Sequence, residues 1–375
     1  MANDYKRRTV KESRAAIKGL STEKLKEAKR LIEDILTYRA VTKLKSTYVD
    51  GVSKALEVTN NGKVYYDLKI DGTVTGRLSC SKYADMGVSF HTLARASKWA
   101  NIRRMFIPER KDHAFITSDY SGMELRMAAY LSGDERMIQA FKDGKDLHTF
   151  TASLLFKKAE DKVTKTQRQI AKDVSFLILY GGGAFKLSQS HNISMGRAEK
   201  IIQTYEQLYP EVFRWRDEVY TEIQEKHEVH SIFGRTRHLP NIVSKVWKVK
   251  QKCLRQGFNF LIQSAASDTT GYATLDIDVE MDNLGIDGKA RATVHDSIET
   301  TVALGTDMVE LSEVIYQKMV NYPLIKAVYG YDYGVPMEIE QEIGFSFGDG
   351  VESEFSPEGK LLNRDEVWRY FKNAA

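Results

Sequence analysis

Cysteine is nearly absent from this chain. Cys80 and Cys253 are the two in 375 residues, and no C-x-x-C pair occurs. That excludes a disulfide framework and a Cys-rich zinc site, and it fits a reducing compartment. Proline is scarce too, at 6 residues. No Ser/Gly/Pro linker, internal repeat or low-complexity tract marks a boundary. No run of 18 apolar residues exists, so no transmembrane helix is expected. The stretch from Lys6 to Lys18 is charged and lacks an apolar segment, which excludes a secretory signal. With 42% hydrophobic and 28% charged residues, the chain is not a disordered one.

Acidic residues are missing over one long interval. Between Val229 and Ser267 there are none, whereas Arg235, Arg237, Lys245, Lys248, Lys250, Lys252 and Arg255 are basic. A second bias lies at the start: residues 1–48 hold 13 Lys/Arg and 6 Asp/Glu, or +7. The net charge is +4, so the remainder carries −3. Each stretch reads as a solvated basic face or as a surface for phosphate.

The patterning predicts an α+β protein, a small antiparallel sheet with a large helical insertion. Leu25, Ala28, Ile32, Ile35 and Leu36 predict a helix from Thr22 to Leu44. Alternation from Val64 to Ile70, followed by Asp71-Gly72, predicts a hairpin within Lys63–Leu78. Ala114–Thr117 reads as a buried strand, and Ser121 to about Glu228 as mostly helical. Another helix is expected from Trp247 to about Leu284. Arg291–Val294 and Ile298–Val302 read as strands around His295-Asp296.

Three segments carry candidate chemistry. In Ser118-Asp119-Tyr120-Ser121-Gly122-Met123-Glu124-Leu125-Arg126, Asp119 falls where a strand gives way to a helix. Ser121 and Glu124 have capping-box spacing. Asp119 is then either a turn residue or a carboxylate able to hold a hard cation such as Mg²⁺. Next, Arg168, Lys172, Phe176 and Tyr180 recur every four residues and run into Gly181-Gly182-Gly183. Each step drifts about 40° and rises about 6 Å on a helix, so the four share one broad face. Two cations followed by two aromatics suit a nucleoside triphosphate, phosphates first and base second. They equally suit a solvated helix end leading into a core. Finally, Thr293-Val294-His295-Asp296-Ser297 puts an Asp at a hairpin tip, a common structural position. Paired with Asp119 across one sheet, it gains chemical meaning.

These residues resemble the polymerase region of family A DNA polymerases, the group of bacterial DNA polymerase I. The three segments are similar to its motifs A, B and C, in order and with fitting spacing. The likeness extends through Tyr38-Arg39, Lys43–Tyr48, Thr75–Ser79, Ile102–Arg104, Leu131–Asp134, Phe258-Asn259 and Gln263, from about residue 35 to 350. It implies a right-hand fold: part of a thumb over 1–60, palm over 61–130, fingers over 131–255, and palm again over 256–375. It also implies template-directed DNA synthesis from dNTPs on primer-template DNA, with two Mg²⁺ ions (Mn²⁺ as the alternative). By resemblance, Asp119, Asp296 and the Tyr120 carbonyl hold the metals, and Lys172 protonates pyrophosphate. Arg168, Lys172 and His148 meet the triphosphate. Phe176 and Tyr180 pack on the nucleotide, and Glu124 excludes a ribose 2′-hydroxyl. Arg77, Arg255, Asn259, Gln263 and His295 face the DNA.

Departures are visible. Ser297 stands where many relatives carry Glu, and Glu299 is a weak substitute. Gly122 replaces a common Gln, and Ser89–Leu93 departs from the usual stretch. Two other readings compete. A single-subunit RNA polymerase shares the palm and a related motif B, but Glu124 opposes it. A catalytically silent DNA-binding subunit is suggested by Ser297. About 37 residues precede Tyr38, and no proofreading exonuclease is expected in this chain. Two readings stay open: a separate chain supplies the rest of the thumb, an exonuclease, or both, or the chain is a minimal polymerase that works alone or a cloned fragment. The expected location is cytoplasmic, that of the host if the chain is phage-encoded.

Overall fold

The computed structural model describes residues 21–93 and 101–374. The first 20 residues of the basic N-terminal stretch lie outside them. The chain divides into two compact units, one up to Asp67 with Ser81–Ile102, the other Leu68–Cys80 with Arg103 onward.

In the first unit, α1 (Thr22–Lys43) starts at Ser21, whose hydroxyl accepts from the Lys24 N–H. It passes through a π-helical stretch, Leu44–Val49, into α2 (Asp50–Thr59), which ends on left-handed Asn60. The unit's core comprises Tyr48, Val52, Ala55, Val88 and Leu93. No residue of α1 is buried, and Leu31, Ile32, Ile35, Leu36 and Tyr38 are 48–72% exposed.

A ribbon of β1 (Tyr66–Lys69) and β2 (Ser79–Lys82) follows. The predicted hairpin within Lys63–Leu78 is thus displaced, because its second strand begins only at Ser79. The intervening loop folds on itself instead: the Thr73 hydroxyl donates to the Arg77 carbonyl at 2.6 Å, and Gly76 turns at φ +77°.

The second unit is built on a five-stranded antiparallel sheet whose strands lie in the spatial order Gly288–Val294, Ser297–Ala303, His113–Tyr120, Ile339–Ser346 and Asp349–Glu352. After β3 (His113–Tyr120) come α3 (Met123–Ser132), α4 (Glu135–Lys142), α5 (Leu147–Phe156) and α6 (Lys165–Leu179). Then follow α7 (Ala184–His191), α8 (Met195–Leu208) and α9 (Pro210–Lys226). A small pair, β4 (Glu228–His230) and β5 (Thr236–His238), precedes the 38-residue α10 (Trp247–Leu284). The sheet resumes with β6 (Gly288–Val294) and β7 (Ser297–Ala303). After α11 (Thr306–Asn321) and α12 (Pro323–Tyr329) it is completed by β8 (Ile339–Ser346) and β9 (Asp349–Glu352), and α13 (Arg364–Ala374) closes the described chain.

Side chains alternate across a strand. On β3, Ala114, Ile116, Ser118 and Tyr120 share one face with Ile298, Thr300 and Val302 of β7. All of these are buried, and the Tyr120 hydroxyl donates to the Met319 carbonyl of α11 at 2.9 Å. Thr117 and Asp119 therefore belong to the opposite face. None of the described helices is long and apolar enough to cross a membrane.

Candidate active site

The site begins with strand register. Asp119 of β3 stands opposite Ser297 of β7, and the Tyr120 N–H donates to the Asp296 carbonyl at 3.2 Å. Val294 pairs with Ser297, leaving His295 and Asp296 as a two-residue turn. His295 adopts φ +60°, a left-handed conformation that His tolerates better than β-branched residues. Asp119 and Asp296 are both half-buried, while His295 is exposed.

Arg77 joins this turn to the start of α3. Its Nη2 lies 2.6 Å from Glu124 Oε1 and 3.4 Å from Asp296 Oδ1. Glu124 is buried, and its other oxygen accepts from the Tyr180 hydroxyl at 2.6 Å. Burial, with that carboxylate beside it, pushes the Tyr180 pKa up to about 12. The expected capping box is overturned here. Gly122, left-handed at φ +62°, is the N-cap of α3, and no side chain caps the helix. Glu124 instead points at Arg77 and Tyr180.

Helix α6 presents the second segment. Thr164 and Gln167 form a reciprocal capping box at its start, and Tyr180 is its C-cap, followed by left-handed Gly181. The Phe176 and Tyr180 rings are stacked at 6.3 Å between centroids, and His148 lies 6.0 Å from Phe176. Lys172 is half-buried between Arg168 and Phe176 on this face. Arg168 grips Asp146 with two bonds, at 3.0 and 2.6 Å. Burial opposes the charge on Asp146, yet Arg168 and Thr149 hold its pKa well below the usual carboxylate range. His148 Nδ1 is buried with no hydrogen-bond partner. Burial, reinforced by Arg168 and Lys172 and opposed by Asp146 and Asp173, lowers the His148 pKa to about 4.

Helix α10 supplies a third wall. Arg255, Asn259 and Gln263 recur every four residues, so they share a face. The Arg255 stem packs against Gly181, where an added Cβ would meet its Cγ at 2.2 Å. Gln263 hydrogen-bonds the Tyr180 hydroxyl. Asn259 lies between them, with its Nδ2 buried and without a partner.

Several contributors escaped the sequence reading. Ser267, one further four-residue step along α10, donates to the Gly76 carbonyl at 3.1 Å. Arg235, from the basic stretch, is paired with nearly buried Asp268 at 2.7 Å and lies against Gly76. Extending the 255–259–263 series would have found Ser267. Asp268 gave no signal, because its partner lies 33 residues away.

Among the described residues, no group of three or more His, Cys, Asp or Glu side chains forms a ready metal cage. Two carboxylates at neighbouring strand ends nevertheless fit Mg²⁺. That ion keeps several waters and binds through one or two carboxylates together with substrate phosphates.

Comparison with known proteins gives the family and the fold. A family model described as DNA polymerase family A matches residues 3–349. The chain is 32% identical over 339 residues to the thermostable DNA polymerase I of Thermus aquaticus, covering 90% of this chain and 38% of that protein. It is 35% identical over 298 residues to DNA polymerase I of Streptococcus pneumoniae, covering 79% and 33%. Among solved structures, the POL domain of Pol1 from M. smegmatis, in complex with DNA primer-template and dNTP, matches with a TM-score of 0.77 at 28% identity. That match covers 85% of this chain and 53% of the other. This chain belongs to DNA polymerase family A. It spans less than half the length of these curated relatives. The fold class is α+β, as in that POL domain.

The half-buried imidazole of His148, with its Nδ1 withdrawn from solvent, makes a pH prediction. Its folded pKa of about 4 lies below the unfolded value of about 6.5, so protons favour the unfolded chain. The stability that neutral His148 contributes is present above about pH 6.5 and is lost as the pH falls towards 4. An NMR titration should give a His148 midpoint near 4. A midpoint near 6.5 would mean that the ring is solvated.

Proposed function

We propose that this chain is a template-directed DNA polymerase that adds deoxynucleotides to a primer 3′-hydroxyl by nucleotidyl transfer. One observation carries the reading: β3 and β7 bring the carboxylates of two distant motifs together, and Arg77, Glu124 and Tyr180 link them to the third. Its substrates would be dNTPs and primer-template DNA. In this reading residues 1–60 would be part of a thumb, 61–130 and 256–375 the palm, and 131–255 the fingers. Helix α10 would run unbroken from fingers into palm.

Asp119 and Asp296, with the Tyr120 carbonyl, would hold two Mg²⁺ ions, with Mn²⁺ as the alternative. Bound there, the ions would acidify the 3′-hydroxyl and neutralise charge on the phosphates. The chain's own residues do the positioning. Arg168 and Lys172 offer cations to the triphosphate, and Lys172 is suited to protonate departing pyrophosphate. Neutral His148 can donate a hydrogen bond to a phosphate oxygen without adding charge. The stacked Phe176 and Tyr180 rings form an apolar wall for the base. Arg255, Asn259, Gln263, Arg77 and His295 lie where a primer terminus could be checked for geometry.

Asp119→Asn or Asp296→Asn should lower primer extension by on the order of 10³-fold while DNA binding persists. Extension near the wild-type rate would sink the assignment, and no extension by the unaltered chain would favour a silent DNA-binding subunit. Glu124 is clamped between Arg77 and Tyr180, and held there its side chain would occupy space that a 2′-hydroxyl needs. This opposes the RNA polymerase reading. Glu124→Ala should raise ribonucleotide over deoxyribonucleotide use about tenfold, the equivalent of roughly 1.4 kcal/mol. An unmoved ratio would leave Glu124 a structural residue.

A separate chain that completes the thumb belongs to the same proposal. The apolar side chains exposed along α1 support it, because a phosphate backbone cannot cover them. Product length per binding event, measured against a DNA trap, should be short for this chain alone. Long products at physiological salt would remove the need for a partner.

A further inference from the structure

One buried acid has no part in the proposed chemistry. Glu299, in the middle of β7, is 1% exposed. Strand register defines its surroundings. Glu299 stands opposite Thr117, and Ser297 opposite Asp119. Directly opposed residues of an antiparallel pair share a face, as do residues two apart on one strand. Thr117, Asp119, Ser297 and Glu299 therefore form a square on one face of the sheet. Asp119 and Glu299 occupy its diagonal, about 7–8 Å apart between backbones.

The carboxyl of Glu299 is held from both sides. Ser297 Oγ donates to Oε1 at 2.6 Å, and Thr117 Oγ1 donates to Oε2 at 2.6 Å. Ser297 adjoins Asp296 in sequence, and Thr117 lies two residues before Asp119 on the same strand. Both hydroxyls that orient Glu299 thus belong to the segments that bear the two aspartates. Glu340 and Glu342 of β8 share this face, opposite Asp119 and Thr117. Glu340 is exposed and Glu342 half-buried, so water screens them more. Glu299 alone of the three is fully withdrawn from solvent. A charge buried in this way acts at long range, and it is costly unless opposite charge stands near.

We infer that Glu299 is a positioning residue for the divalent-cation site, fixing the Ser297 and Thr117 hydroxyls and setting negative charge behind the Asp119–Asp296 pair. Burial pushes the Glu299 pKa up to about 7, with Asp119 adding to the rise and Ser297, Thr117 and Arg103 opposing it. A cation on Asp119 would complete that compensation. Groups behind metal ligands typically contribute about 10–100-fold to metal affinity.

The inference rests on the nucleotidyl-transfer reading, and the test separates the two. Mn²⁺ is titrated into the chain bound to a dideoxy-terminated primer-template, and free ion is read by electron paramagnetic resonance. Glu299→Gln keeps the volume and an acceptor oxygen but loses the charge. It should weaken Mn²⁺ binding about tenfold and raise the Mg²⁺ needed for half-maximal extension by the same factor. Asp119→Asn should weaken Mn²⁺ binding at least as much. If Asp119→Asn weakens it and folded Glu299→Gln does not, the role of Glu299 is overturned and the polymerase reading stands. If neither variant changes it, both readings fall. Should Glu299→Gln not fold, Ser297→Ala decides in its place. Removing that hydroxyl should weaken Mn²⁺ binding severalfold, and undiminished affinity would overturn the inference.

Discussion

The antiparallel pairing of β3 with β7 is the constraint on which the site depends. It is a backbone interaction, indifferent to most side chains, yet it places Asp119 beside a turn 177 residues further along the chain. The other face of the same strands is buried under α11, with the Tyr120 hydroxyl bonded to it. Sliding the strands by one residue would drive Asp119 into that core and bring Tyr120 into the open. Apolar burial on one side of the sheet thereby fixes carboxylate geometry on the other.

Around that pair the polar groups are linked rather than merely adjacent. Asp296, Arg77, Glu124 and Tyr180 form a chain of charged and hydroxyl contacts. Ring contacts, stacked at Phe176 and tilted at His148, continue it. Arg77 itself follows Gly76, where Arg235 and Ser267 press on the backbone. A side chain at position 76 would have to displace the Arg235 guanidinium from Asp268. Local backbone freedom at one glycine thus supports a contact at the centre of the site.

Much of this was legible in the sequence, for identifiable reasons. The boundaries of α10 could be read from periodicity and the closing Gly285, because a long helix repeats its signal many times. The strands flanking His295-Asp296 were legible from their apolar alternation. The ribbon of β1 and β2 was misplaced because the loop between them is shaped by long-range packing on Gly76, which no local pattern announces. The Glu124 capping box failed for a related reason: its carboxylate finds a stronger partner in Arg77, 47 residues earlier. Glu299 was seen as a substitute acid, but its hydroxyl partners became visible only through register.

One pairing changes how the positive helix face should be regarded. Arg168 is not an empty cationic hole awaiting an anion, because the Nε–Nη2 edge of its guanidinium already holds Asp146. An oxygen ligand that approaches the Nε–Nη2 edge must share or replace that carboxylate, which also caps α5. On that edge, anion arrival is an exchange between two acceptors, and its free energy is a difference between two ion pairs rather than the full strength of one.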